Sequence, residues 1–181
     1  MKHRSGFSLI EIIVVISITI LLSSLVIGYG RSSGKQLVLF RDQAVIAGVL
    51  NRARALAIEK FYEPEPDFDN CAFGLHFDNG SREYILFRDL GVGGCDDVNY
   101  RYDADGVTSG AITLLEEISR FSIDEKLVFA NPVADLDILF VPPELDVVSN
   151  SSFPVEIIIE TIDDGASASV SVSASGQVSM Q

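Results

Sequence analysis

The sequence predicts an α+β protein, with one long N-terminal helix followed by a mainly antiparallel β-sheet head. Three observations carry this expectation. Residues 7–28 form an apolar run carrying a single charge, Glu11. Helical periodicity then returns up to about residue 62, and past Pro66 the pattern changes to period two with turn dipeptides between the runs. At 181 residues the chain has room for about one domain beyond its apolar start.

The apolar run comes first. As a helix, residues 7–28 extend about 33 Å, enough to cross a bilayer. A secretory signal peptide has a shorter core and a small-residue cleavage site, whereas here the chain continues Gly28-Tyr29-Gly30-Arg31-Ser32. Lys2, His3 and Arg4 precede the run and predict a cytoplasmic N-terminus, with everything after residue 30 outside. Ile and Val dominate from Ile12 to Ile27, as lipid permits, and Ser17, Thr19, Ser23 and Ser24 can bond within or between helices. A plain anchor leaves Glu11 unexplained, because a carboxylate inside a hydrocarbon segment costs a few kcal/mol and is a functional candidate by default.

Lys2-His3-Arg4-Ser5-Gly6-Phe7-Ser8-Leu9-Ile10-Glu11 resembles the class III prepilin signal of type IV pilin-like proteins. A basic leader, Gly before the cut, Phe after it, a carboxylate four residues on and an apolar span occur in the required order. The resemblance implies a pilin-like fold, a leader of residues 1–6, and cleavage between Gly6 and Phe7 by a membrane prepilin peptidase, which also N-methylates Phe7. It implies too that the partners are prepilin peptidase, other pilin or pseudopilin subunits and an inner-membrane assembly platform. Cutting frees an amine on Phe7, and Glu11 can pair with such an amine on the next subunit. A lone buried charge is costly and a paired one tolerable, so the pair selects axial register between stems. The implied location is the inner membrane, single-pass with the head outside, and then a pilus or pseudopilus.

The chain therefore divides into leader 1–6, transmembrane segment 7–30, amphipathic continuation 31–62 and β-rich head 63–181. Gly28, Gly30 and Gly34 mark a soft point in the stem. From about residue 36, Leu39, Ile46, Leu50, Ala53, Ala57 and Phe61 recur on one helical face, and Pro64 and Pro66 end the helix. Arg52, Arg54 and Lys60 read as a solvated face or as ion pairs to an acidic head rather than as a DNA contact.

In the head, Cys71, Phe73, Leu75 and Phe77 alternate with Ala72, Gly74, His76 and Asp78. Asn79-Gly80 then leads into a second alternating run, Arg82 to Arg88, a hairpin signal. Residues 89–110 read as a Gly- and Asp-rich loop with a short strand near Val98–Tyr102. Further strands are expected near Ile112–Ile118, Leu127–Ala130, Leu136–Val141, Val155–Ile162, Ala168–Ser173 and Gln177–Met180. This order is similar to that of GspH/FimT-type minor pseudopilins and minor pilins. The matching stretches are Asn51-Arg52-Ala53-Arg54-Ala55-Leu56-Ala57-Ile58, the hairpin, Phe140-Val141-Pro142-Pro143 and the closing Val170-Ser171-Val172-Ser173-Ala174-Ser175-Gly176-Gln177-Val178. The usual Gly after the Pro stretch is replaced by Pro143-Glu144.

The net charge is −13, and loss of Lys2 and Arg4 with the leader takes it to −15. Such a surface repels phosphate backbones, so no nucleic-acid partner is expected, and a pilus-tip adhesin or DNA-uptake receptor of the pilin-like family is the lesser alternative. Cys71 and Cys95 fall in the exported part, where a disulfide is expected, two free thiols being the alternative. Asp96, Asp97, Asp103 and Asp105-Gly106 share one loop. The spacing lacks the full calcium-loop pattern, so a solvated acidic loop is favoured and a calcium site on Asp103 and Asp105 is the weaker alternative. No cofactor is expected. With the leader gone, His76 stands alone in a predicted strand, and no nucleophile motif or phosphate loop accompanies it, so the chain reads as the substrate of an enzyme rather than an enzyme.

Overall fold

The computed structural model describes residues 9–60, 67–96, 98–163 and 165–181, with the side chains of 26–33 left aside. It is an α+β structure whose long N-terminal helix packs on a mostly antiparallel head, consistent with a pilin-like fold. The chain forms two compact units, residues 1–37 and residues 38–181.

A single helix, α1, runs Leu9–Lys60. It continues through Gly28, Gly30 and Gly34, where a soft point was expected. Each helical glycine costs only about 1 kcal/mol relative to alanine, which neighbouring backbone bonds offset. Pro64 and Pro66, expected to stop the helix, lie outside the described residues, as does Phe61. Among the described residues no helix is long and apolar enough to cross a membrane. The side chains described within the expected 7–30 span run from Leu9 to Leu25.

In the unit from Val38 onward, the expected helical face is the buried one: Leu39, Ile46, Leu50, Ala53 and Ala57 are at most 2 % exposed. They enter one apolar core with residues from two sheets. The first sheet has five strands in the order β5-β2-β1-β7-β8. These are β1 (Asp69–Phe77), β2 (Glu83–Gly91), β5 (Glu117–Ser122), β7 (Leu136–Val141) and β8 (Asp146–Ser149). The second sheet, in the order β11-β10-β9-β6, comprises β6 (Leu127–Asn131), β9 (Val155–Thr161), β10 (Ser167–Val172) and β11 (Val178–Met180). A two-stranded ribbon, β3 (Val107–Ser109) with β4 (Ile112–Leu114), stands apart from both. Phe73, Leu75 and Phe77 of β1 and Ile157 and Ile159 of β9 meet the helix in the core.

The hairpin expected at Asn79-Gly80 joins β1 to β2, with Phe77 opposite Tyr84 and Gly80 at φ 76°. Ser81 N–H closes the turn on Asp78 O at 3.2 Å. The other face of β1 is also covered: Ala72, Ile85, Phe87 and Leu139 form a second, smaller apolar cluster under Tyr100 and Tyr102.

Three strand expectations need correction. Val98–Tyr102 contains no strand, because Tyr100 has a left-handed backbone (φ 52°) and Asn99 Oδ1 accepts the Arg101 N–H at 2.9 Å, an Asx-type turn. The segment expected at Ile112–Ile118 is divided into β4 and β5 around Leu115 and Glu116, and β4 pairs with an unanticipated β3. Around Pro142-Pro143-Glu144-Leu145 the chain folds back at once into β8, with Val141 opposite Asp146, a strand missed because the two prolines read as a delimiter.

Candidate functional site

Glu11 lies in the first turn of α1 and is exposed. Ile12, Ile13, Val14, Val15, Ile16 and Ile18 after it are all about half exposed, so this part of the helix presents an apolar surface on every side. The hydroxyls do not interrupt it. Ser17 donates to Ile13 O at 2.8 Å, Thr19 to Val15 O at 2.7 Å and Ser24 to Leu21 O at 2.8 Å, each satisfied by its own helix. Gly6 and Phe7, the expected positions of cutting and methylation, lie outside the described residues.

Cys71 and Cys95 are joined by a disulfide with their Cα atoms 5.4 Å apart. Cys71 is buried in β1, and the bond ties to that strand the start of loop 92–106, which follows β2. Gly91 permits this closure: a Cβ there would lie 2.0 Å from Gly94 O and 2.8 Å from Cys71 Sγ.

The acidic loop is ordered by its own backbone and by Glu116. Asp103 Oδ2 accepts the Asn99 side-chain amide at 2.9 Å, and Asp103 O accepts the Gly106 N–H at 3.0 Å. Glu116, which is 0 % exposed, accepts the Asp103 N–H at 2.8 Å on Oε2 and the Leu90 N–H at 3.3 Å on Oε1. Asp103 is half-buried, Asp105 is exposed, and Asp97 lies outside the described residues. Among the described residues no three His, Cys, Asp or Glu side chains are grouped to hold a metal ion.

Sequence reasoning missed the buried acids of this region. Asp89 on β2 is 2 % exposed, and its Oδ2 is buried without a hydrogen-bond partner. Burial, with Asp103 and Asp137 nearby, pushes Asp89 up to about 7. Glu116 is likewise pushed up to about 7 by burial, against the two N–H groups that favour its charged form. A signal was present for Asp89: alternation in Ile85-Leu86-Phe87-Arg88-Asp89 puts it on the same face as Ile85 and Phe87.

His76 has a partner from β7: Nδ1 lies 2.8 Å from Asp137 Oδ1, and its ring lies 4.9 Å from that of Tyr102. Beside it opens a pocket of about 350 Å³, lined by His76, Asp78, Glu83, Ile85, Tyr102, Ala104 and Arg120, with no Ser, Thr or Cys among them. Arg120 is engaged by Glu83 at 2.8 Å and Glu117 at 2.7 Å. The arrangement is a partnered histidine beside an ion-pair network.

Residues 1–27 match the family model described as the prokaryotic N-terminal methylation motif. No curated protein and no solved structure matches the chain. The motif implies processing by prepilin peptidase and assembly with other pilins, and it points to a structural protein rather than an enzyme. Together with a long N-terminal helix leading into a mainly antiparallel head, it supports a type IV pilin-like protein.

Proposed function

We propose that the chain is a minor pilin or pseudopilin of the GspH/FimT type, a subunit of a type IV pilus or a type II secretion pseudopilus. It waits in the inner membrane with residues 7–30 spanning, the N-terminus cytoplasmic and the head outside. Prepilin peptidase removes residues 1–6 and methylates Phe7. The subunit then enters a filament through its stem at the inner-membrane assembly platform. The observation that carries this reading is the methylation motif over residues 1–27, which contains Gly6, Phe7 and Glu11 in order.

The physical argument supports the same role. An exposed cylinder of Ile, Leu and Val from Leu9 to Leu25 needs either lipid or other apolar helices around it. In either surrounding a carboxylate at Glu11 needs a positive partner, and the amine freed on Phe7 of an adjacent subunit supplies one. Intact-mass analysis of the chain co-expressed with a prepilin peptidase tests the reading. The expected product begins at N-methylated Phe7, and a product retaining residues 1–6 overturns it.

A further inference from the structure

Loop 92–106 lies over the sheet face opposite the helix, with Tyr100 and Tyr102 on the cluster of Ala72, Ile85, Phe87 and Leu139. Between the loop and β2 is an open pocket of about 190 Å³ whose lining includes Asp89, Gly94, Asn99, Asp103 and Val107. Asp89 lines this space from β2, with Oδ2 buried and without a hydrogen-bond partner. Among the described residues the charges felt there are acidic. Asp103 comes from the loop, Asp137 from β7 with His76 of β1 bound to it, and Glu116 from the segment before β5. Arg88, next to Asp89 in β2, points to the opposite face by strand alternation. Glu117 faces outward to Arg120 and the Tyr102 hydroxyl.

We propose that Asp89 is a proton-operated latch for loop 92–106. With a proton on Oδ2 the carboxyl is neutral, and the loop stays closed over the sheet; loss of that proton leaves an anion among Asp103, Asp137 and Glu116 and favours an open loop. The two buried acids divide the roles by their hydrogen bonds. Glu116 receives an N–H on each oxygen, which favours its charged form, whereas Asp89 receives none on Oδ2 and is the one built to hold the proton. Burial that lifts Asp89 to about 7 sets the change near neutral pH. Opening uncovers the apolar cluster of Ala72, Ile85, Phe87 and Leu139, while the disulfide still holds one end of the loop. The latch goes beyond the assembly role and does not depend on it.

Hydrogen exchange on the full chain in detergent micelles tests the latch, with rates corrected for intrinsic exchange. Between about pH 6 and about pH 8.5, the Tyr100 and Asp103 amides are expected to lose about tenfold in protection relative to the head core. Asp89→Asn is expected to remove that pH response. Equal protection at both pH values in the native chain, or an undiminished response in Asp89→Asn, overturns the proposal. Should Asp89→Asn fail to fold, a ¹³C-carboxyl titration of the native chain decides: an Asp89 midpoint near 7 upholds the latch, and one below about 5 overturns it. Protection at about pH 8.5 that added calcium restores assigns the cavity to a cation and also overturns it.

Discussion

The side-chain amide of Gln43 donates to the backbone carbonyl of Ser169 at 2.7 Å, joining the buried helix face to β10. The same nitrogen reaches Gln181 O at 3.0 Å, and Gln181 itself exchanges two backbone hydrogen bonds with Ser169. One buried amide thus reaches two carbonyls of the second sheet, each of which also accepts a backbone N–H. Replacing Gln43 by Ala leaves each carbonyl with its backbone donor alone and removes a buried side chain that joins the helix to β10, and it is expected to cost about 1 kcal/mol in urea denaturation. Asn51→Ala is the control. Asn51 is an exposed residue that donates to Ala47 O of its own helix at 2.9 Å, and its loss should change stability by less than about 0.5 kcal/mol.

Gly74 of β1 leaves no room for a side chain against β7. A Cβ there would lie 2.3 Å from Ile138 O and 2.9 Å from Leu139 Cα, both backbone atoms. Gly74→Ala is therefore expected to cost about 3 kcal/mol or more, because neither strand can retreat without breaking the sheet. Gly48 is the opposite case, since a Cβ on this exposed helical residue meets nothing within 4 Å. Gly48→Ala should raise the head's stability by up to about 1 kcal/mol, read as an upward shift in denaturation midpoint.

Much of this architecture was legible, and the failures have physical causes. Leu39, Ile46, Leu50, Ala53 and Ala57 announced the helical face because one side of a helix must meet the core. Alternation in β1 was equally plain, but it leaves open whether Ala72, Gly74 and His76 on the second face meet water. That face is covered, because Tyr100 and Tyr102 return from a loop that composition marked as solvated. Local pattern cannot show which loop covers which face. The same limit hid Asp89 and Glu116, whose burial depends on contacts between β2, the loop and the segment before β5. At the N-terminus the order of Gly6, Phe7 and Glu11 was readable without any tertiary contact, since a signal read by a peptidase is local by nature.

The disulfide should matter most for the loop. Closing 24 residues between Cys71 and Cys95 is worth about 3 kcal/mol in the chain-entropy model. The double change Cys71→Ser with Cys95→Ser is expected to lower stability by about that amount and to speed proteolysis within residues 92–106. Reductant should reproduce the shift in the native chain and leave the double variant unaffected. A reductant-insensitive native chain would count against this assignment.

Stability should fall as the pH rises toward neutral. Asp89 and Glu116 are held at about 7 in the folded chain against ordinary values of 3.8 and 4.5, so the folded state binds more protons than the unfolded one across that window. Their contribution is fully present below about pH 4 and is lost as the pH climbs through 7. The loss is expected to be on the order of 2 kcal/mol for each acid between about pH 5 and pH 8, so Asp89→Asn should show roughly half the native loss. Glu117, held low by Arg120, has the opposite sign and acts only at acid pH, where protonation releases the pair. Urea denaturation across this range measures both limbs.

Glu11 offers the sharpest test of assembly. The proposed pairing requires a negative charge at this position, and insertion into the membrane does not. Glu11→Gln removes a costly charge from an apolar helix and should insert at least as well as the native chain. It should nevertheless fail to enter filaments, because the amine on Phe7 of the adjacent stem then lacks its counter-charge and correct stagger loses its advantage over incorrect stagger. Glu11→Asp keeps the charge but shortens its reach by one methylene, so partial incorporation is expected. Membrane fractionation alongside recovery in sheared filaments separates the two steps. Normal incorporation of Glu11→Gln would show that register is set elsewhere along the stem.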